Sequence, residues 1–188
     1  MKYFIDTEFI EGFNKPLFGK RRHFIDLISI GIVDESGREY YSVSKDFDLK
    51  EVWNKYDLKR VNVGGDARNI YPEGFYMKKE YWLRDNVLKP IFWELVYVHS
   101  DSNIKKGIPD EFNYKNLKKY IKVYGKSNKQ IAEEIYKFCT PKRTKAIKYG
   151  VDAIIGNIDP GIEFYGYYAG YDWVLFCSLF GRMIDLPK

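Results

Sequence analysis

Apolar, β-branched and aromatic residues dominate the start of the chain, "MKYFIDTEFI". Phe4 and Ile5, with Phe9 and Ile10 beyond, predict a first strand buried in a sheet. "FIDLISIGIVDE" predicts a second strand, bounded by the turn "DESGRE", and "REYYSVSKDF" a third. Short turns between successive strands predict an antiparallel meander. Residues 11–22, with Gly12, Pro16 and Gly19, read as a loop. "DLKEVWNKY" predicts a short helix with Asp48 as its cap, and "GGDARNIYPEG" a loop. "KKEYWLRDNVLKPIF" predicts a helix that runs up to Pro90, and residues 97–109 an excursion. "SNKQIAEEIYKFCTP" carries the strongest helical signal: a capping box from Ser127 to Gln130, an apolar stripe at Ile131, Ile135 and Phe138, and a stop at Pro141. "EFYGYYAG" predicts a further strand. "YDWVLFCSLFGR" predicts a helix apolar nearly all round, hence buried, and closed by Gly181.

Two acids interrupt the first strand. Positions i and i+2 of a strand share a face, so Asp6 and Glu8 point the same way, within reach of one ion. Two like charges in an apolar setting are costly unless something positive lies between them. A third acid, Asp172, sits where the last strand meets the last helix. Capping its own helix is one reading of it, since a helix N-terminus favours negative charge. The other is that three acids set in apolar elements share a divalent counter-ion. Mg²⁺ and Mn²⁺ take oxygen ligands, commonly a few carboxylates plus water and phosphate.

Composition narrows the setting. The 188 residues are 45% hydrophobic and 18% aromatic, enough for one domain with a real core. The N-terminus has no secretory pattern, and no apolar run approaches a membrane span. Cys139 and Cys177 make neither a disulfide framework nor a metal set and read as buried thiols, so the expected compartment is a reducing cytoplasm. The net charge of +5 is unevenly placed. Between Lys115 and Lys148 stand eleven Lys and Arg against Glu133 and Glu134, which leaves the rest of the chain net negative. Tyr114, Tyr120, Tyr124, Tyr136 and Tyr149 are interleaved there. Phosphate attraction with aromatic platforms is how single strands are held without sequence reading. A solvated helix face, in a lysine-rich chain whose Ile, Asn, Tyr and Phe suggest an A/T-rich genome, accounts for the same residues.

"YFIDTEFIE", then "LISIGIVDESGREYYSVS", and finally "GYDWVLFCSLFGRMIDLP" resemble the bacterial exoribonuclease AS-type family of the DEDD superfamily of 3′–5′ exonucleases. The likeness covers the first forty-odd residues, a weaker "WLRDNVLKPI" and the last twenty or so. It implies an α/β, RNase H-like fold: a mixed sheet of antiparallel β1-β2-β3 with a parallel strand after them, flanked by helices. The element order β-β-β-α…α-β-α is the start of such a fold. The resemblance makes the chain a single exonuclease-like domain with a basic insertion at about 97–160. It implies hydrolysis from the 3′ end with two Mg²⁺ or Mn²⁺ ions held by Asp6, Glu8 and Asp172. Thr7 and Phe9 would contact the terminal nucleotide, Phe9 as a stacking wedge, although core packing explains Phe9 equally well. Single-stranded RNA as substrate, and a homodimer, rest on the same likeness.

The family's third motif, a His followed by an Asp, has no counterpart after Asp172, where only Asp185 remains. The fold's last strand and helix are also missing from the sequence. His99 and Asp101 have the wrong spacing and order, and His23, in "GKRRHF", reads as a surface residue or a phosphate contact. The expectation is a sequence that stops short of the third motif, or a natural fragment of impaired activity. Two other readings stay open: a DNA 3′–5′ exonuclease, and a catalytically impaired nucleic-acid-binding module.

Overall fold

β1 (Lys2–Asn14) and β2 (Arg22–Asp34) form a long antiparallel hairpin at the heart of the computed structural model, which describes residues 1–14, 20, 22–65, 70–99, 109–139, 162–167 and 169–181. Pairing runs from Tyr3 opposite Asp34 to Asn14 opposite Arg22. The strands therefore extend well into the expected 11–22 loop: once the hairpin is paired, its ladder carries Gly12, and Phe13 meets His23 ring to ring across the strands at 3.9 Å. Pro16 and Gly19 lie outside the described residues. β3 (Glu39–Val43) joins β2 antiparallel after a tight turn. There Asp34 accepts from the Ser36 hydroxyl and from the amides of Ser36 and Arg38, and Gly37 supplies a φ of +84°. The Ser36 hydroxyl above all, with the Arg38 bonds, pulls the Asp34 carboxyl down to about 2. β6 (Glu163–Gly166) lies parallel to β1, giving the order β3-β2-β1-β6.

The described residues thus form a mixed α/β architecture around a four-stranded mixed sheet. One face of that sheet carries Tyr3, Ile5, Leu27, Ile30 and Ile32 and is covered by α4 (Asn128–Cys139) and α5 (Ala169–Leu179). The capping box holds as expected: the Ser127 amide donates to Gln130 Oε1, and the Gln130 amide to Ser127 Oγ. Ile131 and Ile135 are buried at i and i+4. Pro141 is outside the described residues. α5 is not buried all round: Leu175, Phe176 and Leu179 face the core while Tyr171 and Val174 are exposed, because the helix lies on the sheet rather than inside it. Gly181 follows it at φ +98°.

The chain divides into two compact units, Met1–Phe47 with Gly125–Lys188, and Asp48–Tyr124. The intervening unit overlaps the expected 97–160 insertion only over 97–124. It opens with α1 (Leu49–Asn54), whose first amides, of Lys50 and Glu51, bond to the Asp48 carboxylate. β4 (Asp57–Asn62) and β5 (Phe75–Glu80) then pair as a two-stranded antiparallel ribbon. Lys78–Glu80 are strand, not the start of the predicted helix, because pairing with Asp57–Lys59 supplies their backbone bonds. A π-helical turn, Arg84–Leu88, leads into α2 (Lys89–Val98). Pro90 does not end this helix: it stands in the first turn of α2, where a missing N–H costs least, and the helix continues through Tyr97 to Val98. α3 (Tyr114–Tyr124), which the sequence pattern did not single out, packs Leu117, Tyr120 and Ile121 inward. Phe92 of α2 meets Tyr120 edge-on at 5.2 Å. No helix among the described residues is long and apolar enough to cross a membrane.

Candidate functional site

Cross-strand partners share a face, so the β1–β2 register sorts the residues of "FIDTEF". Tyr3, Ile5, Thr7 and Phe9, opposite Asp34, Ile32, Ile30 and Leu27, look toward α4 and α5. Phe4, Asp6 and Glu8, opposite Val33, Gly31 and Ser29, look the other way. Between Glu8 and Phe9 the register slips by one residue, leaving Ile28 of β2 without a partner. A bulge of this kind bends a strand locally and re-aims the side chains beside it.

The strand is therefore not buried on both faces as its composition suggested. Asp6 is exposed, Glu8 half-buried, and Thr7 between them is buried. Exposure explains how the Asp6 charge is tolerated without an ion pair among the described residues, since water solvates it. Glu8 is strained electrostatically. Burial first, then the negative charges of Asp6 and Asp172, push its carboxyl above the usual range.

Asp172 is buried in the first turn of α5, and its main bonds are not to its own helix. Its Oδ1 accepts from the Thr7 amide at 3.1 Å and from the Thr7 hydroxyl at 2.6 Å. These bonds clamp the start of α5 onto the middle of the Asp6–Glu8 segment. Thr7 thus has its amide and hydroxyl hydrogen engaged within the fold. Phe9 packs on the core cluster and stacks on Tyr171 at 5.1 Å, with the rings 16° apart. Tyr171 keeps 48% exposure, so the outer side of this stack faces solvent.

Gly166, at the end of β6, is a supporting residue that the sequence did not flag. A Cβ there would lie 2.9 Å from Asp172 Oδ2 and 3.2 Å from the Ala169 backbone. Glycine lets the strand end and the helix start approach each other around the carboxylate. Its only trace in the sequence is the paired glycines of "YGYYAG" at the strand-to-helix junction.

Three acids thus meet around one segment, with no ion pair to Lys, Arg or His among the described residues. Their hard oxygen donors and uncompensated charge suit Mg²⁺ or Mn²⁺. They are not a preassembled ligand set: among the described residues, no three His, Cys, Asp or Glu side chains are grouped to hold one ion. Asp6 and Glu8 leave one face of β1, while Thr7 engages Asp172 from the other.

The remaining candidates stand apart from this cluster. His23 is exposed and rests on Phe13. His99 ends α2, stacks flat on Tyr124 at 3.7 Å, and burial lowers its pKa. Asp101 and Asp185 lie outside the described residues. On α3 the expected alternation of lysines and aromatic platforms does not form. Lys115, Lys118, Lys119 and Lys122 are exposed, but Tyr120 is fully buried and Tyr114 half-buried, because the helix needs its rings for its core. Lys142, Arg143, Lys145, Lys148 and Tyr149 are outside the described residues.

No family model matches the chain. A stretch of 48 residues is 56% identical to a 3′–5′ exoribonuclease of Mycobacterium tuberculosis, in two strains of that organism. The stretch is 26% of this chain and spans 23% of the relative's length.

Proposed function

We propose that the chain is a metal-dependent 3′–5′ exoribonuclease of the DEDD type on an RNase H-like sheet. The observation that carries this reading is the clamp of Asp172 onto Thr7, which brings a third carboxylate to the Asp6–Glu8 segment. The local match to an exoribonuclease supports the same reading. Asp6, Glu8 and Asp172 would hold Mg²⁺ or Mn²⁺, which would activate water and neutralise charge on the departing 3′ oxygen. The chain's own residues do the positioning. Thr7 fixes Asp172 Oδ1, Gly166 leaves room for Oδ2, and the bulge after Glu8 sets where that carboxylate points. The exposed side of the Phe9–Tyr171 stack offers a platform for the terminal base. RNA over DNA and a homodimer follow from the family likeness alone, and a cytoplasmic setting from the two cysteines read as free thiols.

One observation favours a second reading. The acids do not converge as they stand, which suits a nucleic-acid-binding module with impaired catalysis. A time course on 5′-labelled single-stranded RNA and DNA, with Mn²⁺ or Mg²⁺, separates the two. The exonuclease reading expects a ladder shortening from the 3′ end, faster on RNA and at least about a hundredfold slower in Asp6→Ala. Asp6 is exposed, so this variant should keep its fold. RNA binding without any metal-dependent ladder would establish the second reading instead.

A further inference from the structure

The β4–β5 ribbon contributes no buried residue to its unit: each of its twelve residues is exposed or half-buried. A two-stranded ribbon is marginal in water without an apolar face to bury. Its sequence therefore calls for another explanation, and the register supplies one.

Leu58, Arg60 and Asn62 share a face with Lys79, Met77 and Phe75. No acid stands on that face, because Asp57 and Glu80 pair with each other on the opposite one. Both cations already sit over rings: Arg60 lies 3.9 Å from the Phe75 centroid and Lys79 4.2 Å from that of Tyr56. Leu58 and Met77 between them are 59% and 49% exposed. On the other face, Lys59 stands directly opposite Lys78. Like charges at such a position weaken a ribbon. Lys59 is bridged to Glu80 at 2.9 Å, but Lys78 has no ion pair among the described residues.

Cations interleaved with exposed apolar and aromatic groups suit a ligand that is anionic along its length and flat-faced between its charges. We propose that the β4–β5 ribbon is a binding surface for single-stranded nucleic acid: on one face Arg60 and Lys79 meet phosphates and Phe75 lies under a base, while Lys78, on the other face, adds its charge to the attraction. In the same unit, α3 presents Lys115, Lys118, Lys119 and Lys122 at i, i+3, i+4 and i+7 and carries no acid, a second cationic stripe suited to phosphate. A second copy of this face is a poor occupant, since it would set Arg60 and Lys79 against like charges. The proposal takes its ligand class from the exonuclease reading, while the ribbon's residues are independent of the acid cluster.

Anisotropy of a fluorescein-labelled single-stranded RNA of about 12 nucleotides, titrated with the full chain in EDTA across about 50–200 mM salt, tests this without cleavage. Neutralising all three cations, in Arg60→Gln/Lys78→Gln/Lys79→Gln, should weaken binding about tenfold or more. It should also cut the log–log salt slope by about 1.4, at roughly 0.7 for each of the two phosphate contacts. Phe75→Leu should weaken binding about fivefold and leave the slope unchanged. Arg60→Lys/Lys79→Arg, which keeps the charges, should keep the slope. A triple variant that is folded by circular dichroism yet binds with unchanged affinity and slope would overturn the proposal. So would labelled polyglutamate held as tightly as RNA, which would assign the ribbon to an acidic protein. Loss of the exonuclease reading alone would look different: no metal-dependent ladder, with the ribbon's salt slope intact.

Discussion

The acid cluster of β1 and α5 and the cationic ribbon of β4 and β5 hold charge in opposite ways. In the cluster, a buried carboxylate is fixed by two hydrogen bonds to a residue 165 positions away. Beside it, burial first and then the charges of Asp6 and Asp172 push Glu8 toward its neutral form. On the ribbon, the cations are exposed and solvated, and two lysines face each other with only one bridged. Charge in the first region is therefore part of the fold, and charge in the second is carried on top of it. Removing the buried charge of Asp172 should cost stability, and removing the ribbon's cations little or none.

Asp172→Ala should have the largest effect. It removes the acceptor of two buried donors, the amide and hydroxyl of Thr7, each of which then carries a desolvation cost of about 1–3 kcal/mol. Urea unfolding should show a loss of about 3 kcal/mol, together with loss of metal-dependent activity. Thr7→Val should recover part of the stability in the double variant, because the hydroxyl is then no longer stranded. A loss below about 0.5 kcal/mol would mean that the clamp is not structural, and the contrast between the regions would fall.

Gly166→Ala comes next. The added methyl meets Asp172 Oδ2, which Thr7 holds in place from the other oxygen, and then the Ala169 backbone. Overpacking of this kind costs about 1–3 kcal/mol. The shift falls on the carboxylate, so activity should drop even at temperatures where the variant is fully folded. A folded and fully active Gly166→Ala would show that the position of Asp172 is not critical.

These two residues also mark what the sequence leaves hidden. Rules of local range served well: the Ser127–Gln130 box, the Asp48 cap, the turn at Gly37 and the alternation of β1 to β3 all act between neighbours a few positions apart. The Thr7–Asp172 clamp and the Gly166 approach exist only once β6 lies beside β1, and nothing within either segment announces them. β4 and β5 escaped notice for a different reason. Strand patterning is read from apolar residues that alternate toward a core, and on this ribbon they alternate with charges and none is fully buried. α3 was obscured by its lysines, which describe its solvent face while Leu117, Tyr120 and Ile121 describe its core. The outward side of α5 was misjudged because Tyr171 and Val174 are apolar and yet exposed.

Glu8 gives a smaller and pH-dependent test. Its folded pKa is raised, so the fold favours the protonated form. That contribution is complete below the ordinary carboxylate pKa and is lost as pH rises through the raised value. At neutral pH the wild type carries a repulsive cost that Glu8→Gln relieves. The variant should therefore melt slightly higher at pH 7, by less than either cost above, with the difference vanishing below about pH 4. Mn²⁺ should reverse the ranking, since an ion bound to the folded state stabilises it by mass action: wild type gains and Glu8→Gln does not. A neutral-pH difference that Mn²⁺ leaves unchanged would make the three acids a charge cluster without a bound ion.

The smallest effect is expected on the ribbon, and its sign matters more than its size. Lys78→Glu places an acid directly opposite Lys59 in the β4–β5 register, where two lysines now face each other. A like-charge pair becomes an attractive one, worth about 0.2–1 kcal/mol. Thermal unfolding of the variant should shift upward by about that amount, while its single-stranded RNA binding weakens. In the acid cluster, by contrast, the one substitution expected to stabilise would also remove a ligand of the proposed ion. A Lys78→Glu variant that is both less stable and unchanged in RNA binding would mean that Lys78 serves the ribbon's own fold. One that is more stable and binds RNA poorly would mean that the facing lysines persist against the interest of the fold, and that a polyanion is the reason.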